Sequence, residues 1–357
     1  MISSVSRSAP ALLAVGAVLL TFGAGDLVAQ TGGNADAAKI ALYQGADRAQ
    51  RLVQGAKKER EVTVYTSAPV DDYSALAAAF QKKYGIKVRI WRASSEKVLQ
   101  RGVTEAKAGR NEADLFDTNG PELEWLHREK LLQEVKSPYH ADLIPQALLP
   151  HREWVGTRLN IFVLAYNTRL VKKDELPKKW EDLLDARWKG RLGIEAEDEE
   201  WFAGVVGELG EARGLKLFRD IVAKNGLSVR KGHTLLTNLV ISGEVPLALT
   251  VYNYKAEQLK NKGAPIEWFV IPPAIARPNG IAMARKAPHP NAAVLFYDFM
   301  LSDAQPLLLQ RDFVPTSRKV ETKLNKVPIK FADLKATMDD SGKWSKLYQD
   351  IITRQSR

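Results

Sequence analysis

The feature that most constrains this chain is a regular alternation of helix-like and strand-like segments. Residues 46–59 place apolar side chains at i, i+3, i+4 and i+7, the spacing of one helical face. Residues 61–65 alternate β-branched and polar side chains, which predicts a strand, and helix-like and strand-like segments then alternate up to residue 128. Such a succession predicts βαβ units, and therefore an α/β fold with largely parallel sheets covered by helices.

The same alternation recurs in the second half of the chain, without a sequence repeat between the halves. A long apolar run at residues 155–166 is long enough to cross from one lobe to another, and residues 280–283 can form the return crossing. We therefore predict two lobes, each a mostly parallel sheet flanked by helices, with a hinged cleft between them. The expected division is 30–157 for the first part of lobe 1, 158–272 for lobe 2, and 273–357 for the return to lobe 1 and the C-terminal helices.

The first 29 residues are typical of an export signal. Arg7 precedes an apolar run at residues 9–22, and Ala29 supplies the small residue before Gln30. The apolar run is shorter than the roughly 20 residues that a membrane span needs. We expect cleavage near Ala29 and a periplasmic mature protein; the alternative is an N-terminal anchor that is retained. The absence of cysteine fits an oxidising compartment and excludes thiolate chemistry.

The formal charge of +10 raises the question of a nucleic-acid ligand. The 52 Lys and Arg residues are scattered in short pairs among 42 Asp and Glu residues, and there is no long basic run. This pattern favours solvated surfaces over nucleic-acid recognition. We expect no nucleic-acid partner.

Polar turns follow three of the predicted strands in the first half. They contain Thr66, Ser67, Ser94, Ser95 and Asn119. In open α/β sheets, ligands bind beyond the carboxyl ends of the strands, so these residues are candidate ligand contacts. The same residue types are good helix N-caps, and both interpretations can hold together.

The second half has three further candidate contacts. Tyr252 and Tyr254 flank Asn253 at the end of a predicted strand, where alternation would place both rings on one side. The acidic run at residues 195–200, with Glu197 and Asp198, either complements a helix dipole or contacts a cation. Arg277 either binds an anion or has a structural role, and the same two interpretations apply to Arg158 in the first crossing. These residues leave the charge of the ligand open.

Motifs of catalysis are not found. The chain has no Gly-x-Ser-x-Gly, His-Glu-x-x-His or Walker-type sequence, and its five histidines suggest no metal-ligand spacing. His233 is expected in a loop. We predict a protein that is not an enzyme and needs no cofactor; a secreted hydrolase is the alternative from a different class, because triads are recognised by geometry.

Several phrases, in this order and spacing, resemble bacterial extracellular solute-binding proteins of the ferric-ion-binding type. They span nearly all of the chain after the signal: GADR at 45–48, AKKE at 56–59, VTVYTS at 62–67, ADLF at 113–116, AYNT at 165–168, WEDL at 180–183, WKGRLG at 188–193, GEVPLAL at 243–249 and APHPNAA at 287–293. The resemblance implies the type II periplasmic-binding-protein fold, with a small ligand held between two α/β lobes. It also implies a monomer that delivers its ligand to an ABC permease and ATPase; a binding protein that serves a sensor is the alternative.

The resemblance carries over the family's metal ligands only in part. Iron-binding members use a histidine, a carboxylate and two adjacent tyrosines, and these positions fall here on Pro69, Asn119 and the Tyr252–Tyr254 segment. Ferric ion prefers anionic oxygen ligands, which a proline and an amide do not supply. If a metal binds, Tyr252 and Tyr254 are the ligands that remain. Otherwise we expect a small organic or ionic solute, or ferric ion held with the help of an anion.

Overall fold

The computed structural model describes residues 36–322 and 328–354 of the chain. The predicted signal segment and its cleavage point lie outside these residues. Within them, no single helix is long and apolar enough to cross a membrane; only α10 (Pro290–Leu301) and α11 (Ala304–Gln310) reach that criterion together, and they are bent by 53°.

The chain first builds most of lobe 1. Its elements are α1 (residues 36–42), α2 (Arg48–Glu59), β1 (Glu61–Thr66), α3 (Val70–Tyr84), β2 (Lys87–Arg92), α4 (Ser95–Lys107), β3 (Leu115–Asn119), α5 (Gly120–Arg128) and β4 (Leu132–Gln133).

It then crosses through β5 (Trp154–Asn167) into lobe 2. The elements there are β6 (Leu192–Glu195), α6 (Glu199–Leu209), α7 (Glu211–Asn225), β7 (Ser228–Arg230), α8 (His233–Ser242), β8 (Leu247–Tyr252), α9 (Asn253–Asn261) and β9 (Ile266–Phe269). Short 3-10 turns lie between β4 and β6, among them Trp180–Leu184.

The return crossing is β10 (Ala274–Ala284), and α10 and α11 follow it. The chain continues through β11 (Val314–Pro315), β12 (Ile329–Phe331), α12 (Leu334–Asp339), α13 (Ser341–Tyr348) and a π-helical turn at Gln349–Thr353.

The strands form one curled sheet in the order β2-β1-β3-β10-β5-β8-β6-β7. The outer strands of each lobe are parallel, as β1 is to β2 and β3, and as β6 is to β7 and β8. The crossing strands β5 and β10 run antiparallel to each other and to β8 and β3. The parallel strands within each lobe agree with the prediction, and the sheet as a whole is mixed because the two crossing strands run antiparallel to their neighbours.

Strand β5 joins the two lobes. Its first half pairs with β10, from Trp154 opposite Ala282 to Ile161 opposite Ala276. Its second half pairs with β8 and β9, with Phe162 opposite Tyr252. All 14 of its residues are buried, which explains the unbroken apolar pattern that predicted a crossing.

Each lobe has its own apolar core. Lobe 1 packs α2, α3 and α10 around β1 and β3, with Phe80 and Phe296 in edge-to-face contact at 4.9 Å. Lobe 2 packs α6 and α7 around Trp180 and Phe218. The last helices divide between the lobes: Leu334 of α12 packs against the lobe 1 core, whereas Tyr348 of α13 and the π-helical turn are buried in the lobe 2 core.

Most predicted elements form within a few residues of their expected bounds. The elements that were not predicted include β4, β7, α8, β11 and β12. Strand β10 begins at Ala274, at the expected start of the return to lobe 1. The loop expected around His233 is wrong: His233 is the first residue of α8. The strand expected across Tyr252–Tyr254 is also wrong, because β8 ends at Tyr252 and α9 begins at Asn253.

Candidate ligand-binding cleft

The carboxyl ends of the parallel strands meet between the lobes. Lobe 1 contributes the ends of β1 and β3, at Thr66 and Asn119, and lobe 2 contributes the ends of β6 and β8, at Glu195 and Tyr252. The central strand β10 passes between them with Arg277 and Asn279. This is where open α/β sheets place ligands.

The hydroxyl groups predicted on lobe 1 hydrogen-bond mainly within that lobe. The Thr66 hydroxyl accepts the Ala68 N–H at 3.0 Å, and the Thr118 hydroxyl donates to Ser67 at 3.0 Å. Ser94 is exposed and caps α4 by accepting the Lys97 N–H at 3.4 Å, as the capping interpretation expects. These contacts order the turns that border the cleft.

Asn119 is the centre of a second set of bonds on this wall. Its amide donates to Ser95 Oγ at 2.8 Å, and its Oδ1 accepts from Asn160 and Asn279, each at 3.0 Å. Pro69, at the other position where the resemblance expects a metal ligand, precedes α3 and offers no donor atom. Lobe 1 therefore lacks the carboxylate and imidazole at those two positions.

A buried ion pair holds the floor of lobe 1. Arg158 Nη2 lies 2.9 Å from Asp117 Oδ1, and both side chains are almost fully buried. The guanidinium also lies over Phe313 at 5.4 Å. The structural interpretation of Arg158 is thus favoured over anion capture.

Arg277 occupies the middle of the cleft. Its guanidinium donates to Glu200 at 2.7 Å and to the Tyr252 hydroxyl, and it lies 5.3 Å from the Phe162 ring. Although burial lowers the pKa of Arg277, nearby Glu200 and Tyr252 raise it more, so the group stays charged. Its Nε has no partner among the described residues.

Aromatic rings line the cleft from lobe 2 towards lobe 1. Tyr252 stacks between His233 at 3.8 Å and Tyr254 at 5.9 Å, and Tyr254 packs on Phe313 at 4.3 Å. The two tyrosines thus share one side, although the local backbone is a strand end followed by a helix start. Burial raises the pKa of Tyr254 to about 12.

Several buried acceptor atoms in and around the cleft have no hydrogen-bond partner among the described residues. They are Glu122 Oε2, Asp198 Oδ2, Glu200 Oε2, Asn253 Oδ1 and Asn279 Oδ1. Burial raises the pKa of Glu122 to about 7, although Arg277 opposes the shift; Glu200 adds to it. Buried polar atoms are normally satisfied, so this concentration indicates a group that the protein alone does not provide.

Glu197 does not belong to this set. Its side chain is exposed and pairs with Lys231 at 2.6 Å, and Lys231 also reaches Glu96 of lobe 1 at 3.4 Å. The remaining residues of the acidic run turn inwards. Asp198 lies beside His233, with 3.2 Å between Oδ1 and Nε2, and Glu200 binds Arg277.

Three cleft residues were missed or undervalued from the sequence. Glu122 and Glu200 stand in the first turns of α5 and α6, where acidic residues are common for dipole reasons alone. His233 shows no spacing to another histidine. Elsewhere, Glu124 and His127 are one helical turn apart, and their ligand atoms lie within 4.8 Å of each other and of a His151 nitrogen. The expectation that no histidine has a metal-ligand spacing is therefore wrong.

Comparison with known proteins agrees with this architecture. Residues 66–305, more than half of the chain, match the model of the bacterial extracellular solute-binding protein family. Iron uptake protein A1 of Synechocystis sp. is 26% identical over 274 residues, which cover 72% of this chain and 75% of that protein.

Solved structures of periplasmic binding proteins share the fold. AfuA from Actinobacillus pleuropneumoniae, with exogenous fructose-6-phosphate bound, has a TM-score of 0.72 at 21% identity and covers 82% of this chain and 99% of its own. Trichodesmium FutA, in complex with iron and citrate, has a TM-score of 0.64 at 20% identity with the same coverage. The two-lobed fold is therefore that of type II periplasmic binding proteins, and the chain belongs to the bacterial extracellular solute-binding protein family.

Proposed function

We propose that this protein is the periplasmic capture subunit of an ABC importer, and that its cleft binds iron(III) as a complex with an organic anion. One observation carries the proposal. Glu122 of lobe 1 and Glu200 of lobe 2 lie about the same guanidinium, Arg277, and each keeps a buried oxygen without a partner.

The charge of the cleft supports a positive centre in the ligand. Glu122 and Glu200 bring two carboxylates against one guanidinium, and their mutual repulsion contributes to the raised pKa of Glu122. A cation between the lobes relieves this repulsion. Carboxylate and phenol oxygens are hard ligands that suit ferric ion, and the Tyr254 phenol lies at the same cleft, packed on Phe313 at 4.3 Å.

Arg277 explains why the proposal specifies a complex and not the bare ion. A guanidinium in the same pocket repels an uncompensated trivalent cation. The same guanidinium, with Nε free, is suited to a carboxylate of the accompanying anion. The names of the relatives support this choice, since one is an iron uptake protein and another is bound to iron and citrate.

The position of the two carboxylates gives the ligand a mechanical role. A complex that contacts Glu122 on one lobe and Glu200 on the other interacts best when the lobes are close. Such a ligand shifts the population towards the closed arrangement by its differential affinity. The transporter can then distinguish loaded from empty protein by shape.

Two measurements test the proposal together. Native mass spectrometry of protein taken from the periplasm of its host should find iron with an organic anion. Titration with ferric citrate should give a visible tyrosinate-to-iron band that Tyr254→Phe removes. Glu208→Gln is the matched control, because Glu208 is exposed and pairs with Lys330 away from the cleft. Co-purification of a metal-free solute, together with no ferric citrate binding, would overturn the iron assignment.

A further inference from the structure

We propose that Glu195, Asp198 and His233 form a binding site for a divalent transition-metal ion such as Zn²⁺ in lobe 2. The site adjoins the cleft but uses residues other than Glu122 and Glu200. It stands independently of the iron proposal.

The three side chains already have the spacing of a coordination shell. One ligand atom from each lies within 4.8 Å of the other two, and His233 Nε2 is 3.2 Å from Asp198 Oδ1. Metal–ligand bonds of about 2.0–2.2 Å place neighbouring donor atoms about 3–3.5 Å apart in tetrahedral or octahedral geometry. An ion fits between these atoms with small adjustments.

The surroundings of Asp198 give the clearest indication of a bound ion. Its side chain is only 1% exposed; Oδ1 faces His233 Nε2 at 3.2 Å, and Oδ2 has no hydrogen-bond partner in the described structure. It occupies the N-cap position of α6 but does not cap the helix with its side chain. An N-cap aspartate normally accepts a backbone N–H of the first helical turn, and Asp198 does not. A ligand would satisfy the buried carboxylate oxygen that is left without a partner.

Glu195 is held ready by the surrounding backbone. Its Oε1 accepts the Gly232 N–H at 2.7 Å, and its Oε2 accepts the Glu197 N–H at 2.5 Å. The Tyr348 hydroxyl donates to the Glu195 carbonyl and anchors the end of β6. Such outer contacts orient a metal ligand before the ion arrives.

The donor set suits a cation, because the carboxylates of Glu195 and Asp198 face the imidazole of His233. One imidazole and two carboxylates suit Zn²⁺ or Mn²⁺.

The other histidine cluster of the described chain is a useful contrast. His127 Nδ1 is bonded to Glu153 Oε2 at 2.7 Å, and His151 Nδ1 accepts the Glu153 N–H at 3.1 Å. These bonds engage Nδ1 of both rings, and Nε2 of His151 lies 3.3 Å from Glu124 Oε2. In lobe 2, by contrast, Nδ1 of His233 and Oδ2 of Asp198 have no partner among the described residues.

The test is calorimetric titration of the chelator-treated, full mature protein with ZnCl₂. We expect one Zn²⁺ per chain, with affinity lowered at least tenfold in Asp198→Asn and in His233→Asn. Glu197→Gln and His127→Asn are the controls and should bind as the wild type does. In thermal unfolding, added Zn²⁺ should raise the midpoints of the wild type and the two controls, but not those of Asp198→Asn and His233→Asn.

Three results would overturn the site. They are no Zn²⁺ binding by the wild type, binding by Asp198→Asn and His233→Asn at wild-type affinity, or loss confined to His127→Asn. Ferric citrate titration of Asp198→Asn separates the two proposals. Retained iron binding with lost Zn²⁺ binding supports both, whereas retained Zn²⁺ binding by the wild type without iron binding removes only the iron assignment.

Discussion

The two walls of the cleft treat their polar groups differently. On lobe 1, Asn119 bonds to Ser95, Asn160 and Asn279, and Asp117 is neutralised by Arg158. On lobe 2, carboxylate oxygens of Asp198 and Glu200 are buried without partners. The lobe 1 wall is complete within the protein except at Glu122 Oε2, whereas the lobe 2 wall becomes complete only with a ligand.

This difference separates stability from binding. A satisfied buried network rigidifies its lobe and is costly to break, whereas an unsatisfied group costs free energy until its partner arrives. Changes to the lobe 1 network should therefore affect unfolding most. Changes to the unpartnered carboxylates should affect ligand affinity and leave the stability of the free protein unchanged or higher.

The largest expected effect is that of Arg158→Met. It leaves Asp117 buried without its counter-charge, which typically costs about 3–5 kcal/mol of the free energy of unfolding. Denaturant unfolding measures it. The double variant with Asp117→Asn should recover part of the loss, and a loss below about 1 kcal/mol would contradict the view that this pair organises lobe 1.

Glu122→Gln should have the opposite effect, lowering ligand affinity and not stability. Removing this unpartnered cleft carboxylate should weaken ferric citrate binding at least tenfold, or about 1.4 kcal/mol, without lowering the free energy of unfolding. Isothermal titration and denaturant unfolding on the same preparation give both values. Unchanged affinity beside an unchanged Glu208→Gln control would move the ligand away from α5.

A pH series sharpens the same contrast with a smaller effect. The pKa of Glu122 is raised from 4.5 to about 7, so the folded protein holds this proton more tightly than the unfolded chain does. Its contribution to stability is present below pH 4.5 and is lost as pH rises through 7. Ligand affinity should rise over the same interval, as the carboxylate forms. Glu122→Gln should flatten both profiles relative to the wild type, and equal slopes in the two proteins would contradict the assignment.

Ser94→Ala should have the smallest effect. The hydroxyl caps α4 from an exposed position, and loss of such a cap typically costs about 0.5–1 kcal/mol of stability. Thermal unfolding should detect this, and ferric citrate affinity should not change. A tenfold loss of affinity would instead place Ser94 in the binding site, as one of the two interpretations of the sequence allows.

The helices and strands were predictable where local patterns repeat clearly. The alternation at β1 and the buried run of β5 were visible in the residues themselves, because each reports burial on one or both faces of a strand. Helix α8 was missed because Gly232 and His233 resemble a loop and little in the ten-residue helix marks its start. Tyr252 and Tyr254 were recognised as a pair, but the change from strand to helix at Asn253 was not.

The site was less predictable than the fold. Residue types at strand ends pointed to Thr66, Ser67, Ser95 and Asn119. Nothing in the chain order showed that Asn119 would bond to Ser95, or that Ser67 would bond to Thr118. Glu122 looks like any acidic residue in a first helical turn. Its significance comes from Arg277 and Glu200, which influence the pKa of Glu122 and lie on elements distant from it in sequence.

Local chemistry was therefore enough to establish the α/β class, the crossing at β5 and the clustering of polar residues at strand ends, since propensity and burial periodicity act between neighbours in the chain. Whether a polar side chain is hydrogen-bonded within the protein or remains available to a ligand depends on the partners that folding brings close to it. Asn119 and Glu122 are three residues apart. The amide nitrogen and oxygen of Asn119 are both hydrogen-bonded, whereas one carboxylate oxygen of Glu122 has no partner among the described residues. Only the packing of the two lobes around β10 makes that distinction, because desolvation and pairing are properties of the assembled cleft.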